Sequence, residues 1–221
     1  MNHTREPLVN LLLYHLLKSV VVSPLFRFHL QGQVYGEQHV PQEGPVVIVC
    51  NHASDYDPLI LACCVNRPVA YMAKAELFNV PVLKELIQLY GAYPVKRASL
   101  DRKAIRVGQG MLSQGWAIGI FVQGTFTADG RITEPKLGAA FLAAKHQVPL
   151  LPVCLWGTQA LMTGGHVLQD GKLNLKMPPS VPISVRIGQP LAPPSSVRKE
   201  ELWNITQNCT TIINELHSLG R

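Results

Sequence analysis

Charge is scarce in this chain: 15% of its 221 residues are charged, against 47% hydrophobic. That balance argues against disorder, and the length suits one large domain with a sizeable core. Cys50, Cys63, Cys64, Cys154 and Cys209 contain no C-x-x-C pair and sit mostly inside apolar runs. An odd count without a framework argues against a disulfide-built secreted fold and for reduced thiols on a cytoplasmic face. The N-x-S/T matches at Asn2, Asn204 and Asn208 are therefore read as chance. There is no internal repeat or low-complexity linker. Three potential ligands, His52, Asp55 and Asp57, lie close together, but no second His or Cys cluster has metal-ligand spacing, so no metal is expected.

The apolar run Leu8–Val22 is interrupted by His15 and Lys18 and followed by Pro24. It falls short of the roughly 20 residues that span a bilayer, and no small-residue cleavage site follows it. On helical spacing Asn10, Tyr14, His15, Lys18 and Ser19 form a polar stripe, while Leu8, Leu12, Leu16 and Val20 face away. That pattern fits a helix lying in a membrane interface or one docked on the core. Between Asn66 and Arg106 eight basic residues face three acidic ones, so this segment holds +5 of the net charge of +6. Such a field attracts phosphates. A nucleic-acid role is not expected, because neither a zinc-ligand pattern nor an RNA-binding block accompanies it.

Strand-length apolar runs alternate with helical stretches. Strands are expected at Val46–Cys50, Val69–Ala73, Ala92–Val95, Ala117–Val122, Leu150–Leu155 and Val181–Ile187. Helices are expected from Pro58 to Val65, over Val82–Leu89, from Leu100 to Gln114 behind a Ser99 cap, and over Gly138–His146. A closing helix carries Leu202, Ile205, Cys209, Ile212, Ile213, Leu216 and Leu219 at helical spacing. The loop from Thr158 to Lys172 has no clear assignment. The alternation predicts an α/β fold: a single domain with a mostly parallel or mixed sheet covered by helices. Residues 1–30 form an amphipathic or membrane-associating N-terminal segment, and residues 31–221 form the domain itself.

The chemistry concentrates in Asn51-His52-Ala53-Ser54-Asp55-Tyr56-Asp57-Pro58, directly after the strand Val46–Cys50. A His at a strand end with an Asp five residues on can form a general-base pair across the turn, the carboxylate orienting the ring. Asp-Pro is also an ordinary helix start, so these residues alone leave both readings open.

Four further blocks decide between them. Asn51-His52-x-Ser54-x-x-Asp57 resembles the N-H-x-x-x-x-D signature of glycerolipid acyltransferases related to 1-acylglycerol-3-phosphate O-acyltransferase. Lys74-Ala75-Glu76-Leu77 is similar to that family's K-x-E-L. Gly91 to Arg97 resembles its second block, Phe121-Val122-Gln123-Gly124-Thr125 its F-P-E-G-T-R block, and Val148 to Val153 its proline-marked fourth block. The resemblance runs from about residue 30 to residue 190.

It implies transfer of a fatty acyl group from an acyl carrier protein or coenzyme A thioester to the free hydroxyl of the lysoglycerolipid 1-acylglycerol-3-phosphate, giving phosphatidate, at a membrane surface, with no other cofactor. His52 and Asp57 would be catalytic. Asn51, Ser54, Lys74, Arg97, Gln123, Gly124, Thr125 and Arg131 would contact substrate, Arg97 gripping the acceptor phosphate. The third block departs from the family pattern, with Gln123 in place of Glu and Phe126 in place of Arg. Two alternatives follow: a different lysolipid acceptor, or a lipid-binding relative without turnover.

Overall fold

Val46–Cys50 is β-branched over four of its five residues and buried throughout, as a central strand with both faces covered must be. In the computed structural model, which describes residues 8–89, 91–95, 102–164, 168–169, 172–173 and 177–221, this strand lies in the middle of a seven-stranded sheet. In chain order the elements are α1 (Leu8–Leu17), β1 (Gln33–Tyr35), β2 (Val46–Cys50), α2 (Asp57–Cys64), β3 (Val69–Lys74), α3 (Pro81–Leu89), β4 (Ala92–Val95) and α4 (Arg102–Ser113). Then come β5 (Ala117–Phe121), α5 (Gly138–His146), β6 (Leu150–Trp156), β7 (Leu168–Gln169), β8 (Lys172–Leu173), β9 (Ser184–Ile187) and α6 (Lys199–Ser218).

The sheet order is β1-β9-β6-β2-β5-β3-β4. Strands β2 to β6 all run parallel, so their carboxyl ends share one edge. Strand β9 is antiparallel to β6 and parallel to β1, which makes the sheet mixed. Side chains of β2 alternate between two cores, as a period of two requires. Val46, Ile48 and Cys50 meet α2 and the N-terminal segment, while Val47 and Val49 meet residues of α4, α5 and α6. Burial pushes the Cys154 and Cys209 thiols up to about 12, so both stay protonated.

Most expected elements fall within a residue or two of their observed bounds. The last strand is shorter than expected, beginning at Ser184, because Pro182 has no N–H for the ladder. Strand β1 was not anticipated: three residues carry no period of their own, and pairing with Ser184–Arg186 creates the strand. The unassigned loop contains a 3₁₀ stretch, Thr158–Gly164, and the small β7–β8 pair. The expected Ser99 cap and Leu100 lie outside the described residues.

The N-terminal segment folds back along α2. Helix α1 runs into two π-helical stretches, Lys18–Val22 and Leu25–His29. Tyr14 donates to Ala62 O at 3.5 Å, Ser23 Oγ meets Cys63 Sγ at 3.2 Å, and Phe26 is buried. Its orientation reverses that of an ordinary surface helix. Tyr14 and Lys18 point inward, whereas Leu12, Leu13, Leu16, Val20 and Val21 are exposed, Leu16 by 60% and Val20 by 63%. Among the described residues no helix is long and apolar enough to cross a membrane.

Candidate active site

Chain leaving the carboxyl edge of a parallel sheet is where open α/β folds place their ligand-binding groups. Strand β2 ends at Cys50, and the next six residues, with Asp57 at the start of α2, build the site. Asn51 is almost wholly buried. Its Nδ2 donates to Gly130 O at 2.7 Å and Leu155 O at 2.8 Å, and its Oδ1 accepts from Leu155 N at 2.8 Å. With its amide so committed, Asn51 fastens the end of β2 to β6 and to the Gly130 turn.

His52 follows, its ring nearly buried. Its Nδ1 lies 2.9 Å from Asp57 Oδ2, and that same oxygen accepts from Ala53 N at 2.7 Å and Ser54 N at 2.9 Å. With the carboxylate accepting, Nδ1 carries the hydrogen and the lone pair is on Nε2. Ser54 Oγ is turned to the backbone, accepting from Tyr56 N at 3.1 Å. Asp57 is the first residue of α2, with Pro58 behind it in the first turn, so its charge also sits at the positive end of the helix. One buried carboxylate thus closes the turn, starts a helix and orients an imidazole.

The loop after β5 covers this pair. Phe121 stacks on His52 with centroids 3.9 Å apart and an interplanar angle of 16°, while Phe126 meets it edge-on at 4.4 Å. A flat imidazole against an aromatic face loses rotational freedom, and an imidazolium there is further stabilised by the ring quadrupole. Gly124 makes the intervening turn with φ of 73°, a conformation that favours glycine. Gln123 Oε1 accepts from Thr133 N at 2.9 Å and Glu134 N at 3.3 Å, fastening the loop to itself. Thr125 is exposed.

Of the remaining expected residues, Lys74 and Arg131 fall within the described structure. Lys74 ends β3 with its side chain exposed. Arg97 lies outside the described residues, just beyond β4. Arg131 donates from Nη2 to Ser218 Oγ at 3.1 Å, directing it at the carboxyl end of α6. Beside it His217 is buried with neither ring nitrogen bonded among the described residues. Burial lowers its pKa, as does the nearby Arg131, with Asp129 opposing. A side chain on Gly130 (φ 81°) would come within 2.7 Å of His217 Nε2, so glycine is needed where Asn51 grips the backbone.

Sequence reading missed Thr127. Its N–H and Oγ1 both donate to His52 O, at 2.8 and 3.2 Å, pinning the catalytic candidate from the opposite loop. Nothing in the spacing signals this, because the contact joins positions 75 residues apart. Phe121 belongs to the third block, but its stacking on His52 needs β5 to lie beside β2.

The Acyltransferase family model matches residues 31–156, which include every residue described above from β2 to the Gly130 turn. A probable 1-acyl-sn-glycerol-3-phosphate acyltransferase of Mycoplasma genitalium is 30% identical over 181 residues, covering 79% of this chain and 66% of that protein. The 1-acyl-sn-glycerol-3-phosphate acyltransferase of Bacillus subtilis is 27% identical over 190 residues, covering 84% of this chain and 88% of that one. Across four of the curated relatives the chain spans from 42% to 66% of their length. The crystal structure of the 1-acyl-sn-glycerophosphate (LPA) acyltransferase PlsC from Thermotoga maritima shares the fold, with a TM-score of 0.65 and 21% identity, over 95% of this chain and 87% of that one.

Proposed function

This chain belongs to the acyltransferase family, and we propose that it moves a fatty acyl group from a thioester donor to the free hydroxyl of 1-acylglycerol-3-phosphate, giving phosphatidate. The observation that carries this is the buried His52 Nδ1–Asp57 Oδ2 contact of 2.9 Å at the carboxyl edge of the sheet. An acyl thioester is already activated, so no covalent enzyme intermediate is required. His52 Nε2 takes the hydroxyl proton as the oxygen attacks the thioester carbonyl. The tetrahedral intermediate collapses by breaking the C–S bond, and the thiolate recovers the proton from the imidazolium. Asp57 holds the ring and balances its transient charge throughout. Acyl carrier protein or coenzyme A supplies the thioester.

Asn51, Ser54 and Thr127 act in this scheme by positioning His52, since their polar atoms are taken up by the backbone. Arg97, Lys74 and the Gly124–Thr125 turn hold the acceptor phosphate. The exposed Leu12, Leu13, Leu16, Val20, Val21 and Phe28 lie in the membrane interface and bring the site to its lipid acceptor. Transfer of radiolabelled acyl groups to lysophosphatidate tests the scheme: product from the parent and none above background from His52→Ala is expected. Equal transfer by both sinks it.

One observation favours a second acceptor. The apolar Phe126 ring sits edge-on to His52, where the resembling block has an arginine, so an anionic head group loses a contact beside the base. A lysolipid panel run on the parent and on Phe126→Arg separates the readings. If the parent already prefers lysophosphatidate and the substitution changes nothing, the shifted-acceptor reading fails.

A further inference from the structure

Lys18 is only 7% exposed, yet among the described residues no carboxylate forms an ion pair with it, Glu37 across the cavity acting only at a distance. Among the described residues its Nζ makes one hydrogen bond, to Asn66 Oδ1 at 3.4 Å, and no ion pair. An ammonium this sheltered and held by one long hydrogen bond is favoured by a counter-charge that reaches it. It borders a cavity of about 520 Å³.

Three pieces of chain line that cavity, which is partly open to solvent. The N-terminal segment contributes Lys18, Ser19, Ser23 and Arg27, the stretch after β1 contributes Glu37, and the carboxyl end of α2 contributes Cys63 and Asn66. Two cations face one carboxylate, and the carboxyl end of α2 adds only about half a negative charge. An ammonium, a guanidinium and two hydroxyls around a polar space form a donor set suited to a tetrahedral oxyanion. Asp57 lies at the other end of α2, roughly 12 Å away along eight residues of helix, so this cavity is not part of the His52 site.

We infer that the cavity is a second anion site that takes a phosphate group, with Lys18 and Arg27 as its charged contacts and Ser19 and Ser23 as further donors. The phosphate comes either from a lipid head group, whose chains would run beside the exposed Leu16 and Val20, or from a soluble anion. The site extends the proposed activity without depending on it.

Cys63 is a built-in reporter. It is half-buried and lines the cavity, whereas the other four cysteines are buried. Its alkylation by iodoacetamide is followed by peptide mass spectrometry with inorganic phosphate, with chloride at matched ionic strength, and with phosphatidylcholine vesicles with or without phosphatidate. Occupancy slows alkylation roughly threefold or more at saturating phosphate relative to chloride, or with phosphatidate vesicles relative to plain ones. The effect is lost in Lys18→Gln and in Arg27→Gln, and persists in His52→Ala whether or not that variant has lost transfer. Protection by phosphate alone identifies a soluble anion, and protection by phosphatidate vesicles alone a lipid head group. Unchanged alkylation with both probes, or protection that survives in Arg27→Gln, overturns the inference. Arg27 is exposed, so that variant keeps its core whatever becomes of Lys18→Gln.

Discussion

The turn between β2 and α2 and the N-terminal segment both bury charge against the same helix, and they treat it in opposite ways. At the turn, Asp57 Oδ2 takes three hydrogen bonds of 2.7 to 2.9 Å, one of them from His52. At the N-terminal segment, Lys18 has one contact of 3.4 Å while leucines and valines face outward. In the first region groups of the same chain fix one carboxylate oxygen and through it the His52 ring, as chemistry at a fixed geometry requires. Asp57 Oδ1 is buried with no hydrogen-bond partner among the described residues. On the readings proposed above, the second is completed from outside the chain, by a membrane interface for its exposed side chains and a phosphate for its ammonium.

The sharpest way to break this contrast is Asp57→Ala. Activity should fall by ~10²–10⁴, as when positioned base catalysis is lost. Stability should also fall, because the Ala53 and Ser54 N–H groups lose their acceptor at about 1–3 kcal/mol each. Denaturant titration alongside the transfer assay reads both; a variant that keeps its stability contradicts the turn's account.

Asn51→Ala comes next. It strips partners from Gly130 O, Leu155 O and Leu155 N, and a loss on the order of 1–3 kcal/mol is expected in urea unfolding, with transfer reduced through misplacement of His52. If transfer drops while the acceptor KM alone rises, Asn51 touches substrate and the positioning reading is wrong.

The N-terminal segment should respond the other way. Leu16→Asp with Val20→Asp should abolish co-sedimentation with vesicles yet change stability by only about 0.5 kcal/mol per substitution, since both side chains already face outward. A large stability loss would mean that these residues pack on protein instead. The smallest effect concerns Lys18. Burial holds its ammonium below the usual lysine value of 10.5, with Cys63, Cys64 and Glu37 opposing. The unfolded chain therefore holds that proton more tightly than the folded one. Stability then rises with pH between the lowered folded value and 10.5. Lys18→Met should remove that slope and stabilise the phosphate-free protein at neutral pH by on the order of 1 kcal/mol. Melting curves at two pH values would check it.

Much of the sheet was legible because runs such as Val46–Cys50 and Leu150–Leu155 are apolar on both faces, and only a central parallel strand buries both. His52 and Asp57 were legible because one turn joins them. The N-terminal segment was harder: its stripe of Tyr14, Lys18 and Ser19 was visible, but periodicity says only that two faces differ. It does not say which one meets the protein. That depended on Ala62, Asn66 and Cys63, 40 or more residues away.

By itself, then, the order of residues determined the strands from β2 to β6, most helix starts and the His–Asp turn, because each rests on groups within a few positions of one another. Tertiary structure decided the rest: the Phe121 stack, the Thr127 clamp, the direction of Arg131 and the inverted N-terminal segment. Each is a contact between distant parts of the chain, and only the closing of the sheet brings those parts into reach.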